Sequence, residues 1–204
     1  MNPDYTLYLV TDEPPKCRLG LLPTVREAIA GGVTIVQYRT EQPDRAQRLR
    51  EGRELRALCR AAGVTFIVNN DLALALELGA DGVHIGQRDT PVAEARRLIG
   101  RDMILGLSVS NEAQMRAVDP ALVDYVGCGP VFPTISKKNA PPDLGIAGWA
   151  ALAALSPVPV VAIGGLDAAR ARALRATGRA AGIAVVSAIC SSPNPRAAAR
   201  ALLS

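Results

Sequence analysis

Aromatic and histidine side chains are scarce in this 204-residue sequence. Phenylalanine, tryptophan and tyrosine make up 3% of it, and His84 is its only histidine. So few aromatic rings argue against a surface that stacks nucleic-acid bases. The net charge is only +4, a mild excess that suits an anionic small molecule as well as it suits nucleic acid. We therefore expect no nucleic-acid partner.

The four cysteines, Cys17, Cys59, Cys128 and Cys190, form no C-x-x-C pair. With a single histidine to accompany them, a zinc site is not expected, and no serine has a usable partner for a catalytic triad. Cysteines scattered through apolar surroundings are typical of buried, reduced thiols, which favours a cytoplasmic location.

Long apolar runs, linkers and targeting signals are also missing. No run approaches the ~18 apolar residues of a membrane span, and the N-terminal stretch lacks the basic region of a signal peptide. No Ser/Gly linker, charge block or low-complexity tract divides the chain. Since 49% of the residues are hydrophobic and 21% charged, the composition is that of a globular protein. We expect one domain over residues 1–204 and no membrane partner.

What the sequence does contain is a regular alternation of strand-like and helix-like segments. The clearest helical segment is 43–63, which begins with Pro-Asp, ends at Gly63 and places Leu55 and Cys59 on one face. Segments 21–32, 90–100 and 166–178 behave similarly. Eight apolar runs rich in β-branched residues are predicted as strands: 6–12, 33–39, 64–70, 82–87, 103–110, 125–131, 158–165 and 182–189.

Strands that alternate with helices imply parallel pairing with crossover connections. The nearly continuous apolar character of the runs indicates strands covered on both faces. Eight such units predict that the chain belongs to the α/β class and forms a single (β/α)8 TIM barrel. The alternative is an open doubly wound sheet, which would more often carry a glycine-rich fingerprint after the first strand, where this chain has LVTDEPPK.

Active sites of such barrels lie at the carboxyl ends of the strands, and those ends are polar here. Gly164 and Gly165 follow the seventh predicted strand and Ser187 lies at the end of the eighth, where barrels frequently bind phosphate. The alternative is that the glycines only form a tight turn. Gln37 and Arg39 alternate on the second strand and favour a second anion site.

Lys137 and Lys138, in the polar loop after the sixth strand, would add charge to that second site. Asp71 and Asp89 follow the neighbouring third and fourth strands. Two carboxylates near a diphosphate suit Mg2+, which takes oxygen ligands and shares them with phosphates. Each aspartate has an alternative role as a helix cap. His84 lies within the fourth strand, where an interior hydrogen-bonded histidine is commoner than a catalytic base.

A set of short motifs follows one another along nearly the whole chain: VQYR, VNND, ADGVHIGQRD, GLSVS, GPVFPTISKK, AIGG and IAVVSAI. In order and spacing they resemble the thiamine-phosphate synthase family. The resemblance implies a barrel enzyme that joins a hydroxymethylpyrimidine diphosphate to a thiazole phosphate, releases diphosphate and uses Mg2+. Phosphorylated small molecules are then the expected partners, and the oligomeric state stays open.

The resemblance also implies roles for individual residues. The pyrimidine diphosphate would be bound by Gln37, Arg39, Asn69, Ser108 and Lys137. Of these, the candidate catalytic residues are Arg39, Ser108 and Lys137. The thiazole phosphate would be bound by Thr134, Ser136, Gly165, Val186 and Ser187. Magnesium would be held by Asp89, with Asn70 or Asp71 as a second ligand. Family members are thought to ionise the diphosphate first, so such a site needs cations and a metal more than an acid or base.

Three positions depart from the family pattern. The family usually has lysine where this chain has Glu41 and aspartate where it has Asn70, and many members have histidine where it has Ser110. Ser110 counts against the sister family of thiazole tautomerases, whose catalytic histidine lies at that position. Glu41 and Asn70 keep a third alternative open, a non-catalytic protein that binds phosphate ligands.

Overall fold

Eight parallel strands close into a barrel in the described part of the chain, which comprises residues 3–13, 16–134, 136 and 141–204 of a computed structural model. Each strand pairs with the next in sequence, and the eighth pairs with the first. The strands are β1 (Leu7–Val10), β2 (Ile35–Tyr38), β3 (Thr65–Asn69), β4 (Gly82–Ile85), β5 (Ile104–Val109), β6 (Tyr125–Cys128), β7 (Val160–Ile163) and β8 (Gly182–Val185). The expected (β/α)8 TIM barrel is therefore confirmed.

Helices follow each strand, and two of them follow β8. They are α1 (Leu21–Ala30), α2 (Arg45–Ala62), α3 (Leu72–Leu78), α4 (Val92–Ile99), α5 (Glu112–Arg116), α6 (Gly145–Ala153), α7 (Ala168–Ala176), α8 (Ser187–Cys190) and α9 (Pro195–Leu203). None of these helices, over the residues described, is both long enough and apolar enough to cross a membrane.

The predicted helix 43–63 agrees closely with α2. The Asp44 side chain accepts a hydrogen bond from the backbone N–H of Ala46, 2.8 Å away, and so satisfies one of the free donors of the first turn. At the other end Gly63 adopts the left-handed conformation that commonly ends a helix, with φ 68°. Local capping chemistry in the sequence thus determines both ends of this helix.

The last predicted strand, 182–189, is wrong beyond Val185. Val186 leaves the extended conformation (φ −115°, ψ −83°), and Ser187–Cys190 form the short helix α8. The backbone N–H of Cys190 donates to the carbonyl of Val186 at 2.9 Å, so the apolar run turns into a helix. The predicted strand 158–165 likewise ends early, because Gly164 (φ 105°) and Gly165 (φ 64°) are not extended.

Side chains of alternate strand positions face opposite sides of the barrel wall, which creates two cores. The larger core lies between strands and helices and includes Trp149, whose Nε1 donates to the carbonyl of Cys128 at 3.2 Å. The smaller core fills the barrel and contains Tyr5, Tyr8, Val10, Ile35, Ile67, Tyr125, Val161, Ala184 and Val186. Tyrosine hydroxyls therefore lie inside the barrel, where they need hydrogen-bond partners.

Candidate active site

A cavity of about 830 Å³ opens at the carboxyl ends of the strands, a size at the upper end of small-molecule sites. We call it the mouth cavity. It is lined by these predicted site residues: Gln37, Arg39, Asn69, Asn70, Asp89, Ser108, Thr134, Ser136, Gly165, Val186 and Ser187. Asp71 instead lines a smaller cavity of about 250 Å³ beside it. Lys137, also predicted for this site, lies outside the described residues, as does Lys138.

Arg39 extends from the end of β2 toward a carboxylate that it shares with a second cation. Its Nη2 lies 3.4 Å from Asp12 Oδ2, and Lys16 Nζ lies 3.7 Å from the same oxygen. The Thr11 hydroxyl fixes the Arg39 backbone, accepting from its N–H at 2.9 Å and donating to its carbonyl at 3.1 Å. The two cations outnumber this one carboxylate, so the charge immediately around Asp12 is positive.

Glu13 organises the loop between β2 and α2, and the sequence did not reveal this role. One carboxylate oxygen, Oε1, accepts from the backbone N–H groups of Glu41 at 2.6 Å and Gln42 at 3.0 Å, and from the Thr40 hydroxyl. These contacts hold Glu41 at the mouth cavity, which it lines. The position where the family usually has a lysine therefore carries a negative charge at this site.

Five polar side chains form a continuous hydrogen-bonded chain across the barrel interior. Gln37 Nε2 lies 2.7 Å from the Tyr8 hydroxyl, which lies 2.8 Å from the Tyr125 hydroxyl. The Tyr125 hydroxyl lies 2.9 Å from His84 Nδ1, and His84 Nε2 lies 2.9 Å from Ser108 Oγ. All five side chains line the mouth cavity. His84 is thus a hydrogen-bonded interior residue, and the hydrogen-bonded chain links two of the predicted pyrimidine-side residues, Gln37 and Ser108.

Asp89 and Asn70 are the oxygen-bearing side chains of the metal prediction that line the mouth cavity. Asp89 Oδ2 accepts from the backbone N–H of Gly86 at 2.7 Å, and the cap position of α4 belongs to Pro91. Asn70 adopts the left-handed conformation, φ 61°, and its N–H donates to the carbonyl of His84 at 2.9 Å. Neither Asp89 nor Asn70 caps a helix, whereas Asp71 does.

Asp71 is the helix cap of α3, since its Oδ1 accepts from the backbone N–H of Leu74 at 2.9 Å. Among the residues described, no group of three or more histidine, cysteine or acidic side chains could hold a metal ion. One carboxylate and one amide oxygen nevertheless suit Mg2+, because this ion usually takes few protein ligands and completes its shell with water and substrate phosphates.

The ends of β7 and β8 shape the opposite side of the cavity. Gly165 has φ 64°, and a Cβ at this position would lie 2.5 Å from the Pro133 carbonyl oxygen. Arg170 supports the turn, donating from Nη1 to the Gly165 carbonyl at 2.6 Å. Val186 and Ser187 begin α8. A side chain at Gly165 would therefore collide with the loop after β6, and only glycine fits this turn at the cavity wall.

Comparisons with known proteins agree with this geometry. A family model described as thiamine monophosphate synthase matches residues 7–189. A thiamine-phosphate synthase of Laribacter hongkongensis is 47% identical over 201 residues, covering 98% of this chain and 94% of that protein. A thiamine-phosphate synthase of Azorhizobium caulinodans is 45% identical over 199 residues, covering 98% and 93%.

A solved structure of thiamine phosphate pyrophosphorylase from Pyrococcus furiosus superposes with a TM-score of 0.88 at 32% identity, covering 98% of this chain and 95% of that one. The two folds therefore agree over the whole barrel. Full-length similarity of sequence and of structure leads to the same conclusion: the chain belongs to the thiamine monophosphate synthase family.

Proposed function

We propose that the mouth cavity makes thiamine phosphate from two phosphorylated substrates. The enzyme is a transferase that joins 4-amino-2-methyl-5-hydroxymethylpyrimidine diphosphate to a thiazole phosphate. The carbon–oxygen bond to the diphosphate breaks, diphosphate leaves with the bonding electrons, and the thiazole nitrogen supplies the pair for the new carbon–nitrogen bond. The observation that carries the proposal is one continuous cavity lined by both sets of phosphate-binding candidates, with Asp89 at its wall.

The residues on the pyrimidine side stabilise the leaving group. Arg39, with Lys16 nearby, presents positive charge at the cavity, and Asn69 and Ser108 present hydrogen-bonding groups. Charge that develops on the diphosphate oxygens is stabilised by cations and donors already in place. Lys137 joins this group in the proposal. No general base is required, because the attacking thiazole nitrogen carries no proton to remove.

The residues on the thiazole side position the nucleophile. The thiazole phosphate binds at the turn after β7, where Gly165 lines the cavity, and at the start of α8, where Val186 and Ser187 line it. Thr134 and Ser136 add hydroxyl groups from the loop after β6. Holding the phosphate end fixes the distance from the thiazole nitrogen to the reacting carbon, which is the main requirement of a reaction without proton transfer.

Asp89 and Asn70 would hold Mg2+ beside the diphosphate. When bound, this ion neutralises negative charge on the leaving group. Asp71 stays in the proposal as the second carboxylate, although its pairing with Arg48 at 2.9 Å and its helix cap weaken that assignment. A biosynthetic enzyme of this type suits the cytoplasmic location expected from the reduced thiols.

The tautomerase alternative has less support. Ser110 occupies the position of the tautomerase histidine, and both its backbone N–H (2.8 Å) and its hydroxyl (3.0 Å) donate to Gln114 Oε1. A hydroxyl held in this way is a poor substitute for a catalytic imidazole. The two relatives compared above carry the synthase name over the full length of this chain.

The experiment is a turnover assay with both substrates and Mg2+. We expect equal amounts of diphosphate and thiamine phosphate, and no product when either substrate or Mg2+ is left out. If calorimetry shows that both ligands bind but no diphosphate is released, the protein is a binder and the proposal is wrong. If the protein instead aromatises the thiazole tautomer without magnesium, it is a thiazole-phosphate tautomerase and not a synthase.

A further inference from the structure

The hydrogen-bonded chain from Gln37 to Ser108 can run in two directions, and the Gln37 amide at its end favours one of them. Gln37 Nε2 is an amide nitrogen and can only donate, so the Tyr8 oxygen accepts from it. A hydroxyl oxygen has two lone pairs, so the hydrogen bond between the Tyr8 and Tyr125 hydroxyls can run in either direction. With each hydroxyl proton used within the hydrogen-bonded chain, Tyr8 donates to Tyr125 and Tyr125 donates to His84 Nδ1. His84 Nδ1 thus accepts, and the histidine proton lies on Nε2, which donates to Ser108 Oγ.

We propose that Tyr8, Tyr125 and His84 are positioning residues that hold Ser108 as a hydrogen-bond donor toward the substrate in the mouth cavity. Because Ser108 Oγ accepts from His84 Nε2, its own proton is directed away from the histidine and into the cavity that Ser108 lines. This inference rests on the proposed function for its catalytic consequence. The histidine tautomer that it requires can be measured without any substrate.

Two strand glycines make room for this chain. A Cβ at Gly106, in β5, would lie 2.3–2.4 Å from the phenol atoms of Tyr125. A Cβ at Gly127, in β6, would lie 3.1 Å from His84 Cε1. Glycine inside a strand weakens it and often marks the close approach of another group. The Tyr125 ring therefore occupies the space that a side chain at Gly106 would fill, and the His84 ring lies tightly against Gly127.

Burial keeps the tyrosine protons in place. Tyr8 and Tyr125 are 2% and 1% exposed, and burial raises the pKa of both hydroxyls well above the usual value of tyrosine. Each hydroxyl consequently carries one proton throughout the working pH range, so each can donate only once along the chain. With each of these protons used within the hydrogen-bonded chain, the order of donors follows from the orientation of the Gln37 amide.

The opposite orientation of that amide would reverse the whole chain. If Gln37 Oε1 faced Tyr8, the Tyr8 hydroxyl would donate to it and His84 Nδ1 would have to donate to Tyr125. Ser108 would then donate to His84 Nε2 and have no proton for the substrate. The two arrangements differ in a single observable, the histidine nitrogen that carries the proton.

The first measurement is the long-range 15N–1H NMR spectrum of the ligand-free protein. Since His84 is the only histidine of the sequence, its two ring nitrogens are assigned without ambiguity. We expect the neutral tautomer protonated at Nε2. The tautomer protonated at Nδ1, or two protonated nitrogens, would overturn the inference even if the enzyme is active. The expected tautomer in a protein that makes no thiamine phosphate would instead contradict only the proposed function.

The second measurement compares Tyr125→Phe with Tyr5→Phe. The Tyr5 ring packs on Tyr125 with centroids 5.0 Å apart, but the Tyr5 hydroxyl is not part of the hydrogen-bonded chain. Tyr5→Phe is therefore a matched control for packing. We expect Tyr125→Phe to lower kcat about tenfold or more with KM for the thiazole phosphate unchanged, and to alter the His84 nitrogen signals. Tyr5→Phe should change neither. Equal kcat in the two variants, both with native melting temperatures, would overturn the inference.

Discussion

The Asp71 carboxylate lies 2.9 Å from the Arg48 guanidinium, and both side chains line the small cavity beside the barrel mouth. The other Asp71 oxygen accepts from the backbone N–H of Leu74 at 2.9 Å and so caps α3. Both oxygens therefore already have partners. Asp89, with one oxygen on the Gly86 N–H, lines the mouth cavity itself.

This contrast leads to a paired prediction for Asp89→Asn and Asp71→Asn. Asparagine keeps the shape and an acceptor oxygen but removes the charge that would attract Mg2+ in the proposed site. We expect Asp89→Asn to raise the Mg2+ concentration at half-maximal activity about tenfold or more. Asp71→Asn keeps the helix cap but loses an ion pair whose side chains are 25% and 28% exposed. It should lower the free energy of unfolding by about 1 kcal/mol and leave the magnesium requirement unchanged.

Magnesium titrations of both variants, each with a melting curve, check this pair. A magnesium requirement raised by Asp71→Asn as much as by Asp89→Asn would show that Asp71 moves to the metal. It would also mean that the ion pair with Arg48 breaks when substrate binds.

Glu41 lies at the cavity where the family usually has a lysine, and its charge opposes a diphosphate. We expect Glu41→Lys to raise kcat/KM for the pyrimidine diphosphate about threefold at low salt, and the gain should shrink at high salt because exposed charges are screened. Glu54→Lys is the matched control, since Glu54 is exposed on α2 and does not line the cavity. A similar gain in both variants would show that net charge alone is responsible.

Gly165→Ala and Gly178→Ala separate backbone strain from loss of the phosphate subsite. Both glycines are left-handed, with φ 64° and 66°, so backbone strain alone should lower the free energy of unfolding of either alanine variant by about 1 kcal/mol, and the collision at Gly165 adds to that cost. An added Cβ meets nothing within 4 Å at Gly178 but lies 2.5 Å from the Pro133 oxygen at Gly165.

Steady-state kinetics then distinguish the two variants. We expect Gly165→Ala to raise KM for the thiazole phosphate about tenfold or more, because the turn must move, and Gly178→Ala to leave it unchanged. If Gly165→Ala changed KM for the pyrimidine diphosphate instead, the thiazole phosphate would not bind at this turn.

Cys17 should ionise more readily than Cys59 and Cys128. All four cysteines are free and buried. A hydrogen bond with the Cys190 thiol lowers the pKa of Cys17 to about 7, against the effect of burial, whereas burial raises the pKa values of Cys59 and Cys128 to about 12. The thiolate is the nucleophile, and its fraction rises as the pH passes above the pKa.

Iodoacetamide labelling followed by mass spectrometry checks this prediction. The rate at Cys17 should rise through pH 7 and then level off, while Cys59 and Cys128 stay unlabelled. Cys17→Ser should abolish the labelling. A rate that keeps rising through the range of an ordinary cysteine, about pH 8.5, would contradict the lowered pKa.

Periodicity and composition in the sequence were sufficient to predict the barrel, because all eight strands and the capped helix α2 follow local rules. The ends of the strands were not predictable to the same degree. The run 182–189 is uniformly apolar, and its change from strand to helix at Val186 depends on backbone angles that no side chain in the run signals.

The candidate site was predictable where residues lie at strand ends, since the barrel brings those ends together. Tyr8 and Tyr125 were missed because they lie within apolar strands, although their inward-facing positions follow from strand alternation. Glu13 was missed because its role depends on contacts with a loop 27–29 residues away. Asp71 and Asp89 follow strands in the same way, and only cap and ion-pair geometry distinguishes them.

The most direct test of the central claim, that one cavity binds both substrates around a metal, is a crystal structure with thiamine phosphate, diphosphate and Mn2+ in place of Mg2+. We expect an anomalous peak between the diphosphate and Asp89, diphosphate oxygens near Arg39 and Ser108, and the thiazole phosphate at Gly165 and Ser187. A metal peak away from Asp89, or product bound outside the mouth cavity, would contradict the account.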